Sequence, residues 1–179
     1  MTFHDRILLT DEANVLLSGI MLDTMNFTRS TSERTFSAAY YLRSLGASSE
    51  QTRAFFEDPL DLHLSEAVFF KPGNVTLYRD RIAIAVNMGH DPAYDRLAAA
   101  KASEKLIATQ NIEAAFALVK IGESIVISAR STGKINVQVI LEELHGGGHF
   151  DSAGAQVNGK TMNEVLVLLK SAINHYLDE

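Results

Sequence analysis

Apolar positions in the first third of the chain recur at helical spacing. Val15, Leu16, Gly19, Ile20 and Leu22 follow Thr10, with Asp11 and Glu12 in the first turn, and predict a helix ending near Leu22. Phe36, Ala39, Tyr40 and Leu42 mark a second helix, from about Ser32 to a stop at Gly46. Ser48 and Gln51 stand at capping-box spacing and open a third. Asp58-Pro59 opens a fourth, through Leu62, Ala67 and Phe70, before the break at Lys71-Pro72-Gly73-Asn74.

Beyond the break, short β-prone runs appear. Val75–Tyr78 and Ile82–Val86 flank Arg79-Asp80-Arg81 and suggest a hairpin; about 114–119 and 124–129 suggest two more strands, turning at Gly122-Glu123. An alanine-rich helix is expected over about 93–109, a shorter one over 137–144, and a brief strand over 155–157. Thr161 and Glu164 form a capping box ahead of the apolar stripe Val165, Leu166, Leu169 and Ile173. The pattern is an α/β chain whose first 72 residues lack a strand of their own, followed by a compact mixed-sheet α/β domain over 73–179.

Composition narrows the function. With 46% hydrophobic and 21% charged residues the sequence should fold. Its net charge of −6 argues against capture of long nucleic acid on a broad basic face, so an anionic ligand needs a local site. The absence of cysteine excludes disulfides, thiolate metal sites and a cysteine nucleophile, and fits cytoplasmic residence. No apolar run reaches the roughly 18 residues of a membrane helix, so no membrane contact is expected of this segment.

The densest candidate chemistry is Leu144-His145-Gly146-Gly147-Gly148-His149-Phe150-Asp151-Ser152-Ala153-Gly154. Glycines without Cβ atoms let backbone N–H groups approach an anion, and His149 can donate to a phosphate oxygen. The same run also reads as a flexible loop ending a helix, with a surface histidine. Asp23, in Gly19-Ile20-Met21-Leu22-Asp23-Thr24, offers a carboxylate of the kind that binds hard divalent cations, though it also reads as a turn residue. Arg130 at a strand end, with Ser131, Lys134 and Asn136 close behind, can engage a phosphate or lie in a solvated turn. Arg29 and Arg34 form a small basic cluster near Asp23, while His4, His63, His90 and His175 show no metal-binding spacing and read as structural or surface residues.

Taken together, the Gly19–Thr24 run, Asn26-Phe27-Thr28-Arg29 and Gly146-Gly147-Gly148-His149 resemble the DHH phosphoesterase superfamily with its DHH-associated domain. The longer runs DTMNFTRSTSERTFSAAYYLRSLGA and ISARSTGKINVQVILEELHGGGHFDSAGAQ look most like the GdpP-type cyclic-di-AMP phosphodiesterases. The resemblance implies that residues 1–72 are the carboxyl-terminal helical part of a DHH catalytic domain plus linker, and 73–179 the substrate-binding DHH-associated domain. It makes Asp23 a catalytic ligand of a two-manganese centre. Gly146, Gly147, Gly148 and His149 become the nucleotide-binding loop, with Arg130 and Asn136 as further substrate contacts. The implied reaction opens cyclic-di-AMP to the linear dinucleotide pApA.

Two departures from the family pattern matter. His145 stands where relatives often carry another glycine. The upstream Asp-rich motif and the Asp-His-His triplet are absent, and His4-Asp5 and His90-Asp91 cannot replace them. The expectation is therefore a carboxyl-terminal fragment, nearly inactive alone, of a membrane-anchored parent whose corresponding region faces the cytoplasm. Its expected partners are a cyclic dinucleotide or a short linear one, and exposed apolar surface at the missing half is expected to favour a homodimer. Alternatives are an oligoribonucleotide (nanoRNA) phosphoesterase of the same superfamily and a noncatalytic nucleotide-binding module.

Overall fold

The structure, a computed structural model, describes residues 8–28 and 30–178; His4, Asp5 and Arg29 fall outside them. The chain divides into two compact units, Met1–Asp58 and Pro59–Glu179.

The described part of the first unit is helical. Helices α1 (Thr10–Asp23), α2 (Glu33–Ser44) and α3 (Ser49–Arg53) are followed by a 3-10 turn over Ala54–Phe56. Ser32 caps α2 by accepting from the Thr35 backbone N–H, and Gly46, at φ +95°, lets the chain turn away at its far end. Ala13, Leu17, Leu42 and Ala47 form the buried apolar centre. Buried Asn14 ties α3 to α1: its Nδ2 donates to Gln51 Oε1 at 2.7 Å, and its Oδ1 accepts from Ser48 N at 2.8 Å. Both polar ends of the side chain are thereby satisfied, as burial requires.

The second unit opens with α4 (Leu60–Phe69) and continues through β1 (Val75–Tyr78), β2 (Ile82–Asn87), α5 (Asp95–Ile107), β3 (Ala114–Ile121) and β4 (Ser124–Ser131). It ends with α6 (Val137–Glu142), β5 (Gly147–His149), β6 (Ser152–Asn158) and α7 (Met162–Asp178). The six strands form one sheet in the order β1-β2-β3-β4-β6-β5. Only β2 and β3 run parallel, joined by α5 as the crossover helix; the other neighbours are antiparallel.

Alternation along the strands gives the sheet two unlike faces. Ile82, Ile84, Phe116, Leu118, Ile125 and Ile127 point to one side and pack against α6 and the α7 stripe of Val165, Leu169 and Ile173. Ala83, Ala85, Ala115 and Ala117 point to the other, under Ala98, Ala99 and Ala102 of α5 and Leu62 and Phe69 of α4. Alanine on both partners lets α5 lie close to the sheet. Thr161 and Glu164 cap α7 reciprocally: Thr161 N donates to Glu164 Oε2 at 2.8 Å, and Glu164 N donates to Thr161 Oγ1 at 3.3 Å.

Helix α4 packs with the sheet unit through Leu62 and Phe69, so the boundary between compact units lies at Asp58/Pro59, within the stretch read from sequence as helical part plus linker. One expectation is revised. The glycine run is not a free loop after a helix: α6 ends at Glu142, and Gly147–His149 is an edge strand paired with β6.

Candidate functional site

Three cross-strand pairings bring the candidate residues into order. Gly147 lies opposite Gly154, which lies opposite Ser128; His149 lies opposite Ser152, which lies opposite Arg130. Residues directly opposite share a face, so both rows lie on the side where α5 packs. Helix α5 packs on β2, β3 and β4, and among the described residues Gly154 and Gln156 of β6 and all of β5 remain exposed. The result is a strip of small residues, Gly147, Gly154, Ser152 and Ser128, with His149 and Arg130 along one row.

The three glycines of the run do different things. A Cβ on Gly146 would overlap the Gly154 carbonyl oxygen and lie 2.7 Å from the Ala155 Cβ. One on Gly148, at φ +152°, would overlap the Ser152 carbonyl oxygen and the Ala153 Cα. These two are glycine because β6 lies against them. A Cβ on Gly147 would meet no atom of the described residues within 4 Å, so its bare face opens outward. Because β5 is the last strand of the sheet, alternate backbone groups on its outer edge have no strand partner and can serve a ligand.

A cavity of about 340 Å³ opens over this strip, lined by Arg96, Ile127, His145, Gly146, Gly147, Gly154, Ala155 and Gln156. Arg96, in the first turn of α5, donates through Nη2 to Gln156 Oε1 at 2.9 Å. Gln156 is itself fixed, its Nε2 donating to Ser124 Oγ at 3.2 Å and Asn158 Oδ1 at 3.3 Å. His145 holds φ +57°, in the turn where Gly146 N closes on Leu141 O at 2.8 Å. That left-handed backbone accounts for glycine being the easier residue at this position.

Of the sequence candidates, His149 is exposed at the end of β5. Arg130 is half-buried and already partnered: Nη2 meets Glu104 Oε1 at 3.0 Å and Nη1 donates to Ala129 O at 3.0 Å. Asn136 is the N-cap of α6, with Oδ1 accepting from Gln138 N at 3.1 Å and Val139 N at 3.3 Å, so its carbonyl oxygen is occupied in holding the helix. Lys134 and Arg81 both pair with Glu113, at 2.9 and 3.3 Å.

Asp23 belongs to the helical unit. It is the last residue of α1 and exposed, at the end of the helix where the dipole disfavours a carboxylate. The chain then turns through Met25, Asn26 and Phe27 at φ 46°, 55° and 65°. Left-handed backbone at non-glycine residues costs about 1–2 kcal/mol each, and Thr24 offsets part of that cost. Its Oγ1 donates to Ile20 O at 2.6 Å and accepts from Phe27 N at 2.9 Å, while the Phe27 ring stacks on Phe36 at 5.7 Å. Among the described residues no group of three or more His, Asp and Glu converges, so Asp23 stands as a single carboxylate.

Sequence reasoning missed Arg96 and Gln156. Arg96 falls in an alanine-rich helix where an arginine reads as solvated face, and Gln156 sits in a strand too short to carry a pattern. Only the α5 crossover brings them together.

The chain is 40% identical over 169 residues to the cyclic-di-AMP phosphodiesterase GdpP of Bacillus subtilis, covering 93% of this chain and 25% of that protein. It is 40% identical over 167 residues to the cyclic-di-AMP phosphodiesterase PdeA of Listeria monocytogenes, covering 92% of this chain and 25% of that protein. The chain thus spans about a quarter of the length of these relatives. An exopolyphosphatase-related protein from Bacteroides fragilis shares the fold, with a TM-score of 0.80 at 21% identity over 94% of this chain and 51% of that one. No helix among the described residues is long and apolar enough to cross a membrane. Residues 81–175 match the DHHA1 domain, a stretch that runs from the start of the β2–α5–β3 crossover through the glycine edge strand into α7, and the chain belongs to that domain family.

Proposed function

We propose that this chain is the nucleotide-holding portion of a metal-dependent phosphodiesterase that opens cyclic-di-AMP to pApA. The observation that carries the reading is the pairing of 40% identity to two cyclic-di-AMP phosphodiesterases with an edge strand whose one unobstructed glycine, Gly147, faces a cavity. Unpartnered backbone groups of β5 receive the sugar-phosphate, and the His149 ring donates to a phosphate oxygen. Gly146 and Gly148 contribute by letting β5 lie against β6. Arg130 acts at one remove: its charge is shared with Glu104, so it steadies the His149 row more than it supplies a free cation. Asn136 sets the start of α6, which leads into the glycine strand.

Asp23 is assigned as one manganese ligand, its position at a helix end being one that a bound cation would relieve. The described residues do not complete a metal site around it, so no step of hydrolysis is derived through the metal from this chain. The family chemistry is attack of water on phosphorus with release of one ester oxygen, which leaves a terminal phosphate on a linear product.

Calorimetric titration of the chain with cyclic-di-AMP and with pApA tests the reading. Binding of either that weakens in His149→Ala supports it. Absence of heat with both, at millimolar ligand, would sink it.

A further inference from the structure

The geometry points to a second anion-binding position at the far end of the same small-residue strip, in which Arg96, positioned by Gln156, takes the phosphate of a nucleotide-sized group. This deepens the reading above and rests on it for the ligand class.

The argument begins with charge compensation. Arg130 is paired with a carboxylate, and the cavity of about 420 Å³ at the other end of the sheet unit holds Asp80 and Glu113 beside Arg81 and Lys134. Both places are internally neutralised. The strip cavity differs: among the described residues Arg96 and His145 are its titratable lining, and no Asp or Glu lines it. Arg96 is anchored by a neutral amide and, among the described residues, is paired with no carboxylate. A guanidinium held by one neutral acceptor keeps its charge and most of its five donors for something else.

The anchor is also directional. Ser124 and Asn158 accept from the Gln156 Nε2, so its Oε1 is the end left facing Arg96. That chain of hydrogen bonds aims the guanidinium from α5 toward β6. The floor beneath is Gly154 and Gly147, where no side chain stands in the way. A planar fork over bare backbone suits a phosphate, whose oxygens accept two parallel N–H bonds. The volume of about 340 Å³ exceeds what a lone oxyanion needs and falls within the range of small-molecule sites. A mononucleotide with its phosphate at Arg96 is therefore the occupant.

This subsite and the His149 row stand at opposite ends of the strip. Ser152, opposite His149, and Gln156 are four residues apart on β6, roughly 13 Å at strand rise, so separate variants probe the two ends of the strip. Arg96 is exposed, so its replacement should leave the fold intact.

The test is titration of the isotopically labelled chain with AMP, adenosine and inorganic phosphate, following the backbone amides of Gly147, Gly154 and Gln156 by NMR. AMP is expected to shift all three, and to bind more tightly than either adenosine or inorganic phosphate. Arg96→Ala should weaken AMP by about tenfold or more, the loss expected of a charge-assisted hydrogen bond. Arg96→Lys should recover part of that affinity, and Gln156→Leu should lose part. Unchanged AMP affinity in Arg96→Ala, or adenosine binding as tightly as AMP, overturns the subsite. Inorganic phosphate binding as tightly as AMP would overturn the nucleotide-sized occupant. Cyclic-di-AMP binding without any AMP binding defeats this inference and leaves the broader reading standing. AMP binding that depends on Arg96, with no binding of cyclic-di-AMP or pApA, does the reverse.

Discussion

The helical unit and the sheet unit bury their apolar residues in different ways. Among the described residues of Met1–Asp58 the buried apolar centre is Ala13, Leu17, Leu42 and Ala47, while Leu16, Phe36, Tyr40 and Tyr41 are exposed. In Pro59–Glu179 a sheet is covered on both faces, by large side chains on one and alanines on the other. Hydrophobic stabilisation scales with apolar area removed from water, so the sheet unit should be the more stable of the two. The candidate chemistry is divided the same way: one carboxylate and a strained turn on the sparser unit, an edge strand and two cavities on the denser one.

The largest effects should come from the sheet core. Phe116 is fully buried on β3, and Phe116→Ala is expected to cost about 3–5 kcal/mol, read as a shift in the denaturant midpoint. Nucleotide binding should fall with it, because the same sheet carries β5. Leu17→Ala in α1 should cost about 2–5 kcal/mol within the helical unit and leave nucleotide affinity unchanged. If Leu17→Ala weakened binding as much as Phe116→Ala, the separation of roles between the units would be wrong.

Next comes the division of labour within the glycine strand. Gly148→Ala forces a Cβ into the Ser152 carbonyl and Ala153 at a left-handed φ, and should destabilise by about 1–3 kcal/mol. Gly147→Ala meets open space and should change stability by no more than about 0.5 kcal/mol while weakening nucleotide binding. Thermal melts paired with calorimetry separate the two. Equal destabilisation by both would mean that Gly147 is structural after all.

A smaller effect is expected at His145. Its φ of +57° is a conformation that glycine adopts without steric penalty, so His145→Gly should stabilise the sheet unit by up to about 1 kcal/mol. The resemblance singled out this position as a departure, and the backbone gives the physical meaning of that departure.

The sequence made the elements legible far better than their arrangement. Helices α1, α2 and α7 were readable because caps and apolar spacing are local: Ser32, Gly46 and the Thr161–Glu164 box each act within a few residues. Strand β5 was not, because consecutive glycines carry neither propensity nor alternation. It is a strand only because β6 supplies the ladder and Gly154 and Ala153 leave room for it. The helix α4 was legible, yet its assignment to the sheet unit depended on Leu62 and Phe69 meeting α5, which no local rule reveals. Gly147 and His149 were candidates from the glycine run alone, whereas Arg96 needed the crossover to carry it to β6.

The smallest expected effect probes the edges of the sheet unit by pH. Lys134, through a hydrogen bond and its charge, and Arg81 beside it hold the Glu113 carboxyl below the ordinary glutamate range; the Thr161 backbone and hydroxyl do the same for Glu164. A carboxyl whose folded pKa is depressed binds protons more weakly in the native state than in the unfolded one. Its contribution to stability is therefore present above an unperturbed glutamate's value of roughly 4.3, and is lost as pH falls through the lower, folded value. Carboxyl-detected NMR should show both midpoints below that of free glutamate. Lys134→Ala should raise the Glu113 midpoint and leave Glu164 in place, because the two groups have different partners, and Thr161→Val should do the converse. A Glu113 midpoint unmoved by Lys134→Ala would mean that the pairing at 2.9 Å does not persist in solution. The cavity beside it would then hold an uncompensated lysine, and the contrast with the Arg96 cavity would lose its footing.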